Sequence, residues 1–366
     1  MNISLKNRLL QRTGLKQSGF SLVELMVGLV IGLIATLVIM QVFSSFEGQK
    51  RSTTGTADAQ TNGSIGLYNI QREVQKAGFG LPLFDANFAE AKLNNNVNNF
   101  SALRCVSPGA GLPALPVDHD NLLAPGSPDV DALYPISITN GAAGASDTIT
   151  VRYSTPVSGT VPIPTTIVTP VSVTDLQVSN NYGCSTNDIA VVVRSNGSCS
   201  SSRVTSTTAQ LNANPTQLKL SSVNAAQMPN GARLTCIGPT FSVVGFTIAG
   251  NELTRNGTPI LSEIVSLQAQ YGITGSTSAA IKSNQITQWV DAGTLANPNR
   301  IRAVRVAVVA RNNQLEKTNV TAAAPISWTG GPAINLSANA DWQRYRYRVY
   351  EAIIPIRNLA FSGALL

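Results

Sequence analysis

Apolar and polar positions divide this chain into three regimes. From Phe20 to Phe43 nearly every position is apolar, and Glu24 is the one charge in those 24 residues. At about 1.5 Å per residue such a run crosses a bilayer core of about 30 Å as a helix. From Ser45 to Ala77 the pattern turns polar but stays compatible with a helix, with Leu67, Ile70, Val74 and Ala77 at helical spacing. Gly55, Gly63 and Gly66 lie in this part, and each costs about 1 kcal/mol against Ala in a helix. A bend or local loosening is therefore expected at 55–66. Gly78, Gly80 and Pro82 form a stop, so the expected helix covers 20–77.

Residues 78–146, with clusters such as NNNVNNF and SPGAGLPALP, read as surface loops with little regular structure. The third regime is β. Strand-like runs fall at 147–154, 188–195, 216–221, 241–250, 266–273, 301–311 and 345–356. Asn-Gly pairs at 230–231 and 256–257 mark turns between some of them. The class expected is α+β: a long N-terminal helix packed on an antiparallel sheet with long loops.

Charge changes the picture at one end only. The chain of 366 residues has a formal charge of +7, but Lys6, Arg8, Arg12 and Lys16 all precede residue 20, where there is no acid. Without them 22 basic residues face 19 acidic ones, too even a balance for the footprint of a nucleic-acid binder. Those four cations place the N-terminus in the cytoplasm by the positive-inside rule, with everything past about residue 46 across the membrane. Charged residues are only 12% of the chain, about half the usual share, which suits an exported β-rich protein. An ordinary secretory signal has a shorter apolar core and a small-residue cleavage site after it. Neither feature is present, and an uncut signal anchor is the plainer competing reading.

Cys105, Cys184, Cys199 and Cys236 form no C-x-x-C pair and share the chain with a single histidine, which argues against zinc. An even count in an exported chain favours two disulfides, with three connectivities open. The Ser/Asn/Gly-rich stretch between Cys184 and Cys199 suggests that pair, worth roughly 3 kcal/mol, with Cys105 to Cys236 by elimination.

Glu24 is costly inside an apolar helix and so implies a partner. If the chain is cut between Gly19 and Phe20, a new amine appears four residues before that carboxylate. A neighbouring subunit's amine could then pair with it in low dielectric. The stretch QSGFSLVELMVGLVIGL resembles the class III signal of type IV prepilins. That resemblance implies processing after Gly19 by a prepilin peptidase, N-methylation of the Phe20 amine, and Glu24 as the assembly glutamate. The segments NIQREVQKAGFG, SDTITVRY, EIVSLQAQYGI, IRAVRVAVVARN and RYRVYEAIIPIRN are similar, in order, to the PilW-type minor pilins. By that resemblance residues 1–19 are a leader, 20–77 the pilin helix with its membrane segment at 20–43, and 78–366 a periplasmic, then surface, domain. The implied partners are other minor pilins and the major pilin through the helix, prepilin peptidase, the inner-membrane assembly platform and a large tip adhesin.

Other candidate chemistry is sparse. Asp118-His119-Asp120 reads as a polar turn before it reads as a metal site, and Asp129 and Asp131 lack the frame of a calcium loop. No nucleophile elbow, P-loop or dinucleotide fingerprint appears, so neither an enzyme nor a cofactor is expected. Arg344, Arg346 and Arg348 alternate with Tyr345, Tyr347 and Val349. That pattern fits a half-buried strand with a basic outer face ahead of a contact with single-stranded nucleic acid. Two rivals to pilus assembly stand: a type II secretion pseudopilin, and a tip binding module whose loops at 85–145 and 155–240 contact an adhesin, a surface or DNA.

Overall fold

The structure, a computed structural model, describes residues 19–80, 103–106, 132–133, 135–155, 165–171, 174–193, 198–221, 230–239, 241–275, 284–295, 300–322, 326, 328–337 and 339–358. It falls into two units, 1–54 and 55–366. In the first, the described secondary structure belongs to one helix, α1 (Leu22–Val74), which runs on into the second. Its large apolar side chains from Leu22 to Phe46 are exposed. The first polar turn carries an exposed Glu47–Arg51 pair at 3.1 Å, worth a few tenths of a kcal/mol.

The rest of the architecture is β. Its strands are β1 (Leu103–Val106), β2 (Ala132–Leu133), β3 (Ile136–Thr139), β4 (Thr148–Ser154), β5 (Thr165–Pro170), β6 (Asp175–Val178), β7 (Ile189–Val193) and β8 (Ser198–Arg203). After the short helix α2 (Thr208–Ala213) come β9 (Gln217–Lys219), β10 (Arg233–Cys236), β11 (Phe241–Ala249), β12 (Glu252–Arg255), β13 (Thr258–Ser262), β14 (Ile264–Ile273), β15 (Gln288–Val290), β16 (Ile301–Arg311) and β17 (Tyr347–Pro355). They form three sheets, ordered β13-β12-β11-β4-β3, β15-β14-β16-β17 and β2-β1-β8-β7-β10-β5-β6-β9. All pairs are antiparallel except β1 with β8. All seven strand-like runs of the sequence hold a strand. The expected loop region also contains β3, because Ile136 and Ile138 bury beside β4.

Residues 55–74 of α1 bury Gly55, Ala59, Gly63, Gly66, Ile70, Glu73 and Val74, a stripe at three- and four-residue spacing. The loosening expected at 55–66 does not occur, and the helix is unbroken. The glycines are where the backbone comes closest to the sheets. A Cβ on Gly63 would lie 2.2 Å from the Tyr350 ring, and one on Gly55 2.0 Å from Asn312 Oδ1. One on Gly66 would touch Leu253 and Leu261 of the five-stranded sheet at 3.4 Å and Val308 of the four-stranded sheet at 3.8 Å. The helix thus rests across both sheets over a shared core that includes Ile70, Val74, Ile149, Val151, Phe246, Leu267, Tyr271, Val304, Val306 and Val308. Fully burying each large side chain stabilises by about 1.5–3 kcal/mol, which outweighs the propensity cost of the glycines.

Strand β16 shows the alternation of a strand covered on both faces. Val304, Val306 and Val308 face the helix, whereas Ala307 and Val309 pack with Trp328, Ile334 and Leu336 on the other side. On that second face the buried Arg305 lies 5.0 Å from the ring centres of both Trp289 and Trp328 and donates from Nε to Gln270 Oε1 at 2.7 Å. Desolvation lowers its pKa, against the pull of Asp291 and Glu351.

The eight-stranded sheet has its own core, including Ile167, Leu176, Val192, Leu218 and Leu234, against which α2 sets Leu211. Thr207 and Gln210 form a capping box at the start of α2, and the buried Asn181 Nδ2 donates to the carbonyls of Leu211, Asn214 and Gln217. Cys184 is bonded to Cys236, with Cα atoms 5.1 Å apart, which overturns both expected pairings, Cys184–Cys199 and Cys105–Cys236. The reason is strand stagger. Cys184 lies just before β7, whose end at Ala190 is opposite Cys236, whereas Cys199 is opposite Val193 at the far end. Three residue steps of strand separate those positions by about 10 Å, beyond the reach of a disulfide. In the backbone register, Cys105 is the partner of Cys199.

The chain leaves the five-stranded sheet after Ser154 and returns at Phe241, and these two residues are register partners on adjacent strands.

Candidate assembly surface

The segment that carries the sequence motif is built as follows. Gly19, Phe20 and Ser21 precede the helix in non-helical backbone, nothing lies within 4 Å of a Cβ placed on Gly19, and Phe20 is 82% exposed. Glu24 sits in the first turn of α1, where the positive end of the helix dipole favours a carboxylate. Behind it, Leu25 to Phe46 present large apolar side chains on all sides. The 18-residue window most suited to a membrane is wholly unburied. In water this surface would be a liability. Lipid, or a bundle of similar helices, covers it without loss, because the helix satisfies its backbone groups internally.

At the other end, Glu73 fixes the helix to the sheets. Its side chain is buried and accepts from Lys76 Nζ at 3.1 and 3.2 Å, from Arg255 on β12 at 3.1 Å and from the Tyr153 hydroxyl on β4 at 3.0 Å. A buried carboxylate with three donors is satisfied, whereas one stripped of a partner costs several kcal/mol. The clue in the sequence was a charge at a stripe position, one residue before Val74; the partners, up to 182 positions away, gave no local signal. Asp147 plays a similar part between the sheets, accepting from Gly141 N at 2.9 Å and Ala269 N at 2.8 Å. Burial, offset in part by those two bonds, pushes its pKa up to about 6.

Two profiles of known families match this chain. One, described as type IV pilus-assembly protein W, covers residues 236–358, and the other, the prokaryotic N-terminal methylation motif, covers residues 14–40. Over those residues the chain is similar to the PilW-type pilins. No curated protein and no solved structure matches it. The PilW match begins at the last residue of β10 and takes in β11 to β17, the strands that build most of the bed for the helix. The methylation-motif match spans Gly19, Phe20 and Glu24 together with most of the apolar run.

Elsewhere, the sequence candidates yield little. Asp118, His119, Asp120, Asp129 and Asp131 lie outside the described residues, among which no cluster of potential metal ligands occurs. In the arginine run Arg346 and Arg348 are exposed, and Arg344, Tyr345, Tyr347 and Val349 are half-buried. Arg344 lies in a 3-10 turn (Trp342–Arg344) ahead of β17, Arg344 Nε donates to the Glu316 carbonyl, and Arg346 Nε donates to the Glu316 carboxylate at 2.9 Å. Arg348 lies over the Tyr350 ring. The exposed apolar helix with its single carboxylate is therefore the strongest candidate surface among the described residues.

Proposed function

We propose that this chain is a minor pilin that joins other minor pilins in the complex that primes type IV pilus assembly and sits at or near the pilus tip. The observation that carries this reading is the exposed apolar helix with one carboxylate, four residues after an accessible Gly19–Phe20 junction, in a chain whose residues 236–358 match the PilW family. The precursor lies in the inner membrane with its N-terminus in the cytoplasm and its β domain in the periplasm. Prepilin peptidase cuts after Gly19, and the Phe20 amine is methylated. The helix then leaves lipid for a bundle with other minor pilins and the major pilin at the inner-membrane assembly platform. Glu24 sets the register by pairing with a neighbour's Phe20 amine, an attraction strengthened in low dielectric. No chemical transformation is assigned to the protein.

The test is a deletion strain complemented by the intact gene and, separately, by Glu24→Ala, with sheared surface pili and secreted enzymes measured in parallel. Pili are expected to vanish on deletion, return with the intact gene and stay absent or scarce with Glu24→Ala, while secretion is unchanged. Normal pili with failed secretion would instead identify a pseudopilin.

A further inference from the structure

We propose that a cleft beside the end of α1 binds a carboxylate carried on an aromatic body. The cleft, of about 480 Å³, is open to solvent and lies between Lys76, Phe79, Tyr153, Ser154, Arg357 and Asn358, a size typical of small-molecule sites. Its charge is positive: Glu73 answers both Lys76 and Arg255, and among the described residues the exposed Arg357 is paired with no acid. A helix C-terminus normally repels an anion. Here the terminal carbonyls are capped: those of Glu73, Val74 and Lys76 accept from the backbone N–H groups of Lys76, Ala77 and Phe79, and that of Ala77 accepts from Asn358 Nδ2.

Ser154 lines the cleft and is 2% exposed, and its unpartnered hydroxyl is sealed from solvent. Two rings supply the apolar walls. Tyr153 is fixed by its bond to Glu73 and has Lys76 Nζ 5.2 Å from its centre, and Phe79 is held through its backbone by Lys76 and Ser154. A flat aromatic acid sets its ring between these walls and its carboxylate toward Arg357 and Lys76. This site is separate from the apolar helix and does not depend on the assembly role.

The test uses the full chain in detergent micelles, titrated with N-acetyl-phenylalanine and with N-acetyl-phenylalanine amide, which share a ring and differ by one charge. The acid is expected to bind about tenfold more tightly than the amide, the effect of one charge-assisted hydrogen bond. Arg357→Gln should reduce the acid to the affinity of the amide. Ser154→Ala, at a hydroxyl sealed from solvent, should leave the affinity for the acid unchanged. Equal binding of acid and amide, no binding of either, or an acid affinity indifferent to Arg357→Gln overturns the proposal. Benzoate, run alongside, separates the sources: tighter binding of N-acetyl-phenylalanine supports an anion site read by a chain terminus, and tighter benzoate supports one read by a free small acid.

Discussion

The two β regions of the large unit solve the problem of a stable core in different ways. The five- and four-stranded sheets are organised by a helix and bury large side chains under three glycines that let the backbone approach. The eight-stranded sheet is organised by its own apolar cluster, a two-turn helix with a capping box and a disulfide. Most of the first lies within the PilW match, whereas only Cys236 of the second does. The contrast teaches that the part of the chain similar to the PilW family is mostly the bed for α1, and that the remaining sheet is stabilised on its own terms.

The sharpest way to break that comparison is to remove the Cys184–Cys236 bridge. It closes a sequence separation of 52, for which the chain-entropy relation gives about 4 kcal/mol. In Cys184→Ala/Cys236→Ala, amide exchange in β7 and β10 is expected to accelerate while β14 and β16 stay protected. Equal acceleration in both would show one cooperative unit. A smaller effect, confined to the helix bed, comes from Asp147. Its folded-state pKa of about 6 lies above the ordinary 3.8, so the folded state holds the proton more tightly. Stability is therefore greatest below about pH 4, falls as pH rises through about 4 to 6 by at most about 3 kcal/mol, and is flat above. Thermal melts across that window should show the fall in the intact chain and lose it in Asp147→Asn. The smallest effect is expected from Gly63→Ala, at about 2 kcal/mol, because the added methyl meets the Tyr350 ring and overpacking outweighs the gain in helix propensity. Tyr350→Ala in the same chain should turn that loss into a gain relative to Tyr350→Ala alone, read from denaturant midpoints.

What the sequence made legible follows from locality. The methylation motif is a short contiguous stretch, and strands such as β16 are long apolar runs, so both could be read directly. The contact glycines were misread because propensity describes an isolated helix, and only the Tyr350 ring and Asn312 explain why no side chain is present. Short polar strands such as β6 and β12 carry too little pattern to register. The disulfide depended on which end of a hairpin each cysteine occupies, and the Glu73 cluster on residues far apart along the chain. Neither leaves a trace at the spacing of a motif.

The register pairing of Ser154 with Phe241 has a topological consequence. The excursion from 155 to 240 leaves and returns on two adjacent strands whose ends are about 5 Å apart, the same gap that a tight hairpin turn closes, and its β8 is also paired with β1. Lengthening a loop within the excursion costs only the slow growth of loop-closure entropy and leaves the β4–β11 ladder intact. In architectural terms the excursion is a cartridge in a fixed socket. Its loops can change while the stem of β4 and β11 stays the same.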